Sequence, residues 1–338
     1  MRKSFANLSS YALLCALAWT GFAHAEPLRV AATTPDLASL VESVGGDQVE
    51  VTAFVRGGQD PHFIQARPSF IRVLSRADLF VRVGLRLEAG WVPSLVRSAR
   101  NGRIQPGSTG DLDASAVIPR LGVLVGTIDR SMGDVHAQGN PHYLADPVNG
   151  IRVARAIRDR LIRLRVEEAP FFEARAADFE RTLLTRLLGE AWVIEYGAPV
   201  LAEAMLAGAM PEGADESKLG GWLRAMRTPQ NRAVVADHDL WPYFAKRFGI
   251  EVVGFLEPLP GITPTTKHLS AIAELMNARG IRAILSASYF HPRYARKLAK
   301  ATGAQVIEMA NQVGAREGVD DYLGMIDWNV RQVADALE

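Results

Sequence analysis

From Leu28 onward the apolar positions of the chain switch between two periods. Leu28 to Ala32 is a short apolar run, and Leu37, Leu40, Val41 and Val44 then recur at helical spacing. Thr34 followed by Pro35 reads as an N-cap and first helical position, and Gly45-Gly46 as the stop. Val49 to Val55 starts the next strand. A second unit repeats the plan, with a helix over Pro68 to Arg76 and an apolar strand from Leu79 to Val83. Strands that alternate with helices predict a mostly parallel sheet covered on both faces, with binding loops at the carboxyl ends of the strands.

The middle of the chain is helical. Asp146-Pro147 reads as a cap with proline at the first position, and Ala154, Ile157, Leu161 and Leu164 continue the stripe. A second helix starts at Pro170 and carries Phe172, Ala176, Phe179, Leu183 and Leu187 on one face. Running to Leu188, it would span roughly 28 Å at about 1.5 Å per residue, enough to cross between two lobes. The stretch between Gly189 and Gln230 is rich in small and apolar residues and gives no clear element. Alternation then resumes with strands over Ala233 to Ala236, Val252 to Leu256, Ala283 to Leu285 and Val306 to Met309. Helices follow them over Trp241 to Phe248, Thr266 to Ala278, Pro292 to Ala301 and up to Leu337. No short internal repeat and no low-complexity tract interrupts this plan.

Length agrees with two lobes, because 338 residues exceed a single small domain. With 38 basic against 37 acidic side chains, no cationic excess exists to neutralise a phosphate backbone, so nucleic acid is not an expected partner. The N-terminus reads as a secretory signal: Arg2 and Lys3, an apolar Tyr11 to Ala18, then Ala23-His24-Ala25 before the cut. That apolar run is too short to span a bilayer comfortably. The mature chain is expected to begin at Glu26 in the periplasm. A lipid anchor on Cys15 would need a small residue before it, and Leu14 stands there. Cleavage removes Cys15, the single cysteine, and turns the formal net charge of +1 into −1. A metal site in the mature chain must then be built from histidine and carboxylate.

Histidines supply the chemistry. His62 sits in Asp60-Pro61-His62-Phe63, His142 in Asn140-Pro141-His142-Tyr143, and His238 in Asp237-His238-Asp239 directly after an expected strand. Proline before the first two fixes a rigid approach, and neutral imidazole is a favoured zinc ligand. A lone loop histidine is more often hydrogen-bonded to backbone than to metal. Three at equivalent places in an alternating plan weigh the other way. Their wide separation in sequence excludes a local zinc knuckle, so the site must be assembled by the fold.

Six segments in the correct order carry a resemblance. They are Gly58-Gln59-Asp60-Pro61-His62, Ala77-Asp78-Leu79 through Gly84-Leu85 to Leu87-Glu88, Asn140-Pro141-His142-Tyr143-Leu144-Ala145-Asp146-Pro147, Ala236-Asp237-His238 with Tyr243-Phe244, Glu257-Pro258-Leu259-Pro260-Gly261-Ile262, and Asp320-Asp321-Tyr322 leading to Asn329. Together they resemble the ZnuA/TroA-like receptors of zinc and manganese ABC importers, from about Leu28 to the C-terminus. The resemblance implies two Rossmann-like α/β lobes joined by one long helix, with a single metal in the cleft. It divides the chain into a signal peptide (1–25), a first lobe (26–168), a linking helix (169–189) and a second lobe (190–338). It implies His62, His142, His238 and Asp320 as ligands, with Asp321 one residue away as the alternative acid. Histidine at the position of His238 goes with zinc in this family, where glutamate goes with manganese or iron; three imidazoles and one carboxylate agree with that preference.

Some positions depart from the pattern. Asn140 stands where an acid is usual, and Ser286-Ala287-Ser288-Tyr289 replaces a common glutamate. His291 lies near that stretch and is an auxiliary candidate, as is His136 in a short loop with Asp134. His268, at a helix start, is expected on the surface. Four protein ligands leave no open position for water, which favours a receptor over an enzyme. The expected function is capture of Zn2+ by a monomer and its delivery to the membrane permease of an ABC importer, with a periplasmic metallochaperone as an optional partner. Three other readings stay open: a manganese (Mn2+) or iron receptor, a receptor for an organic solute or metal chelate, and a metal-dependent hydrolase.

Overall fold

The computed structural model describes residues 26–124, 136–227, 232–258 and 261–338. The expected signal peptide and Asp134 lie outside these residues. Two all-parallel sheets organise the chain. The first contains β1 (Leu28–Ala32), β2 (Val49–Ala53), β3 (Leu79–Arg82) and β4 (Asp111–Asp113), in the order β2-β1-β3-β4. The second contains β5 (Ala233–Ala236), β6 (Glu251–Phe255), β7 (Ala283–Ala287) and β8 (Gln305–Met309), in the order β6-β5-β7-β8. The two lobes therefore share one topology.

Helices α1 (Pro35–Gly45), α2 (Pro68–Arg76) and α3 (Val92–Ala99) belong to the first lobe, followed by α4 (Pro147–Leu164) and α5 (Ala169–Leu188). The stretch that gave no clear sequence pattern folds as α6 (Glu190–Tyr196), α7 (Ala198–Ala207) and α8 (Gly221–Ala225). The second lobe adds α9 (Pro242–Phe248), α10 (Thr266–Arg279), α11 (Arg293–Thr302) and α12 (Tyr322–Leu337). Among the described residues no helix is long and apolar enough to cross a membrane.

The pleat of each sheet sorts its side chains between cores. Ala31 and Phe80 face outward against Leu74 and Leu95, while Val30 and Ala32 face inward. In the second sheet Val235 and Ile284 pack against Ile272 and Leu298, while Val234 and Ala236 face inward. The inward faces join one continuous core that also holds the buried stripe of α5: Phe172, Ala176, Phe179, Leu183 and Leu187. That helix packs on α1, α4 and α8. A core shared by both sheets resists wide hinge motion, since separating the lobes would expose it.

Polar ties close the cleft between the carboxyl ends of the two sheets. Gln312, after β8, donates from Nε2 to the Gln59 carbonyl at 2.8 Å. The Val313 amide donates to Asp36 Oδ1 at 2.7 Å, and the Tyr322 amide to Ser39 Oγ at 3.0 Å. Arg247 on α9 forks onto Asp146, the N-cap of α4, at 2.7 and 3.0 Å. Gly57 meets the turn at Gly314 so closely that a Cβ would lie 2.1 Å from the Gly314 carbonyl carbon.

Candidate metal centre

The loop that carries His62 leaves β2 and is held by the side chains of Asp60 and Trp91. Asp60 Oδ1 accepts the His62 amide at 2.9 Å and the His62 Nδ1–H at 2.6 Å. Trp91 Nε1 donates to the Pro61 carbonyl at 3.0 Å, which fixes the turn from beneath. With Nδ1 committed to Asp60, the lone pair of His62 is on Nε2. That nitrogen lies 2.9 Å from His136 Nε2.

His142 enters from a different element. Asn140 Oδ1 accepts the His142 amide at 2.9 Å, and a single 3-10 turn, Tyr143–Ala145, leads to the cap of α4. Tyr143 hangs from the end of β3 by donating its hydroxyl to the Val83 carbonyl at 2.8 Å. The ring of His142 lies 5.6 Å from that of His62 and 6.4 Å from that of His136, centroid to centroid. Its Nε2 is buried without a hydrogen-bond partner. Burial first, then the neighbouring His62, His136 and His238, push its pKa well below the usual imidazole range. His142 is therefore neutral, the form that binds metal.

His238 follows β5 directly, as expected, and its Nδ1 lies 3.3 Å from Glu257 Oε2. Phe290 flanks the ring at 5.9 Å. Its neighbour Asp237 turns inward, accepting from Ser286 Oγ at 2.7 Å and the Ala287 amide at 3.2 Å. Burial raises the Asp237 carboxyl to about 6, against the lowering effect of those two bonds. Ser286 thus stands where an acid was expected and serves the strand behind His238.

The structure explains Asn140. Its side-chain amide donates to the Asp239 carbonyl at 2.7 Å and to Asp239 Oδ2 at 3.3 Å, across the two lobes. An aspartate there would place carboxylate against carboxylate. Asparagine can receive from the His142 amide and donate to the His238 loop at once.

The expected acid is not brought to the histidines. Asp320 is exposed on the loop before α12, and no hydrogen bond or ion pair joins it to His62, His136, His142 or His238. Asp321 is also exposed and is spent as the N-cap of α12, accepting the Gly324 amide at 2.6 Å. The residues that reach the cleft from β8 are Ala310, Asn311 and Gln312, none of them acidic, and Asn329 holds Ala310 through both backbone groups at 2.7 and 2.8 Å. His291 is exposed, with Nδ1 accepting the Arg293 amide at 3.2 Å at the start of α11. His268 is half-buried instead of on the surface, with its Nε2 2.9 Å from the Phe255 carbonyl. His136, an auxiliary candidate from the sequence, is brought against His62, a contact that its place in the sequence did not signal. Among the described residues no three donor groups are yet in ligating geometry around one point. A cavity of about 40 Å³ lies beneath His142, between Asp36, Trp241 and Gln312.

Comparison with known proteins gives a consistent answer. The family model described as ZnuA, zinc-uptake complex component A, periplasmic, matches residues 30–186 and 214–336. The unmatched residues between these segments include α6 and α7. The chain is 22% identical over 331 residues to the manganese ABC transporter substrate-binding lipoprotein PsaA of Streptococcus pneumoniae, covering 96% of this chain and 94% of that protein. It is 23% identical over 341 residues to the iron ABC transporter substrate-binding lipoprotein MtsA of Streptococcus pyogenes serotype M1, covering 98% and 96%. A crystal structure of ZnuA superposes with a TM-score of 0.69 at 19% identity, covering 93% of this chain and all of that one.

Proposed function

Because this chain belongs to the ZnuA family, the metal-binding receptors of ABC importers and not enzymes, we propose that its cargo is zinc(II), delivered to the membrane permease of a zinc importer. The observation that carries this is the donor set facing the cleft. His62, His136 and His142 come from the first lobe and His238 from the second, and His142 is held neutral with an orphaned buried nitrogen. Imidazole suits zinc, whereas manganese favours carboxylate, carbonyl and water. Among the described residues, the carboxylates of Asp60 and Glu257 face the Nδ1 atoms of His62 and His238. In that position they orient the rings and raise their basicity. His62, His142 and His238 are assigned as ligands.

Relatives named for manganese and iron keep a second metal in view. The leader sequence supports release into the periplasm, with Glu26 as the mature N-terminus. The test is zinc uptake by cells lacking the gene. Zinc-limited uptake should be lost, restored by the wild-type chain, and not restored by His238→Ala. Undiminished zinc uptake with a loss of manganese uptake would reject the assignment.

A further inference from the structure

The geometry points to His136 as the fourth ligand of the captured ion, in place of any carboxylate, so that the site is built from four imidazoles. This rests on the receptor reading above and goes beyond it in naming the donor that completes the shell.

His62 Nε2 and His136 Nε2 are 2.9 Å apart. Two nitrogens bound to one tetrahedral zinc at about 2.05 Å would be about 3.3 Å apart. Their separation therefore needs to grow by only a few tenths of an ångström for both to face one ion. The same tetrahedron would set neighbouring imidazole centroids about 5 Å apart. Here the His62–His136, His62–His142 and His136–His142 centroids are 5.0, 5.6 and 6.4 Å apart. Three rings already cluster, and the widest gap asks for a movement of about 1 Å at His136. His238 comes from the other lobe, and the bond from Asn140 to the Asp239 carbonyl at 2.7 Å ties its loop to that of His142.

Among the described residues the cleft offers no better candidate. Asp320 and Asp321 are exposed, with Asp321 capping α12, and the loop after β8 presents Ala310, Asn311 and Gln312. Asp60 Oδ1 is bonded to His62 Nδ1 and to the His62 amide, so turning it to the ion would release the ring it positions. Four neutral donors leave the charge of the ion intact. Asp60 and Glu257, paired with His62 and His238, supply one outer carboxylate from each lobe to offset it.

The experiment is X-ray absorption at the zinc edge of the loaded mature chain, paired with chelator competition. Four imidazole nitrogens are expected in the wild type, and three with one oxygen in His136→Gln. Zinc affinity should fall roughly 100-fold in that variant, at or beyond the loss caused by outer-shell changes. His136→Asp should recover part of the binding and shift the preference toward manganese, a result that a merely structural role for His136 would not produce. Asp320→Asn should leave both the spectrum and the affinity unchanged. Wild-type affinity and an unchanged absorption spectrum in His136→Gln would overturn the proposal while leaving the receptor reading intact. A wild-type chain that takes up no zinc would reject the receptor reading itself.

Discussion

At the scale of single residues, the chemistry is set by what holds each candidate ligand, and Asn140 shows it most directly. Its amide group bonds the His142 loop on one side and the Asp239 backbone and carboxylate on the other. Burial already pushes the Asp239 carboxyl up, and the bond from Asn140 opposes that rise. Asn140→Asp should therefore set two carboxylates against each other and lower zinc affinity by about tenfold, the scale of one lost buried hydrogen bond; unchanged affinity in competition titration would refute this role. The candidate site was legible in part. His62, His142 and His238 could be read because proline or a strand end brackets each. His136 could not be ranked, because its approach to His62 depends on how a loop closes. Asp320 is exposed and not bonded to the histidines, since a motif gives sequence order and not direction. The chain turns after Val319, buries Tyr322, and leaves the acid outside.

At the scale of elements, the loops that carry the candidate ligands depend on how the strands end. Glu88 is buried and gathers Thr33 Oγ at 2.7 Å, the Val83 amide at 2.6 Å and the Gly84 amide at 3.1 Å. This clamp holds the turn after β3, where Leu85 and Arg86 adopt positive φ, and Val83 in turn receives the hydroxyl of Tyr143 beside His142. Removing the carboxylate strands the buried Gly84 amide and the Thr33 hydroxyl, and leaves the Val83 amide only a longer bond to Thr33 Oγ1 at 3.3 Å. Glu88→Ala should cost about 3 kcal/mol or more in chemical denaturation, and a loss below about 1 kcal/mol would show that the clamp is dispensable. The same scale shows why much of the fold could be read. Helices α1, α4 and α5 declare themselves by proline at the start and an apolar stripe of the right period. β4 is only three residues long and reads Asp-Leu-Asp, too short to establish an alternation. Helices α6 and α7 have little amphipathic contrast, with Ile194 and Val200 exposed, so periodicity gave no signal there.

At the scale of the whole molecule, two lobes of one topology meet over a shared core, and the cleft is pinned by contacts that can be altered singly. Gly57 is required where its backbone touches the Gly314 turn, because an added Cβ would overlap that backbone. Gly57→Ala should push the loops apart, raise hydrogen exchange around Gln312 and weaken metal capture; exchange identical to the wild type would contradict the closed contact. Asp36 is a second pin, bonded to the Val313 amide. Burial raises its carboxyl from 3.8 to about 7, with that bond acting in the opposite sense. A raised folded-state pKa means that stability is fully present below the unfolded value and is lost as pH rises toward 7. Between pH 5 and pH 8 that loss should be about 2–3 kcal/mol, at about 1.4 kcal/mol per unit. Asp36→Asn keeps an acceptor for Val313 and should flatten this slope in denaturation curves at the two pH values. An unchanged slope would show that Asp36 is already ionised in the fold.

The central claim, a cleft that selects zinc through imidazole donors, is tested most directly by competitive titration of the stripped mature chain from Glu26 with zinc and manganese. One zinc per chain is expected, held far more tightly than manganese and lost in His62→Ala and His238→Ala. A chain that preferred manganese, or that bound zinc equally well without those two histidines, would contradict it.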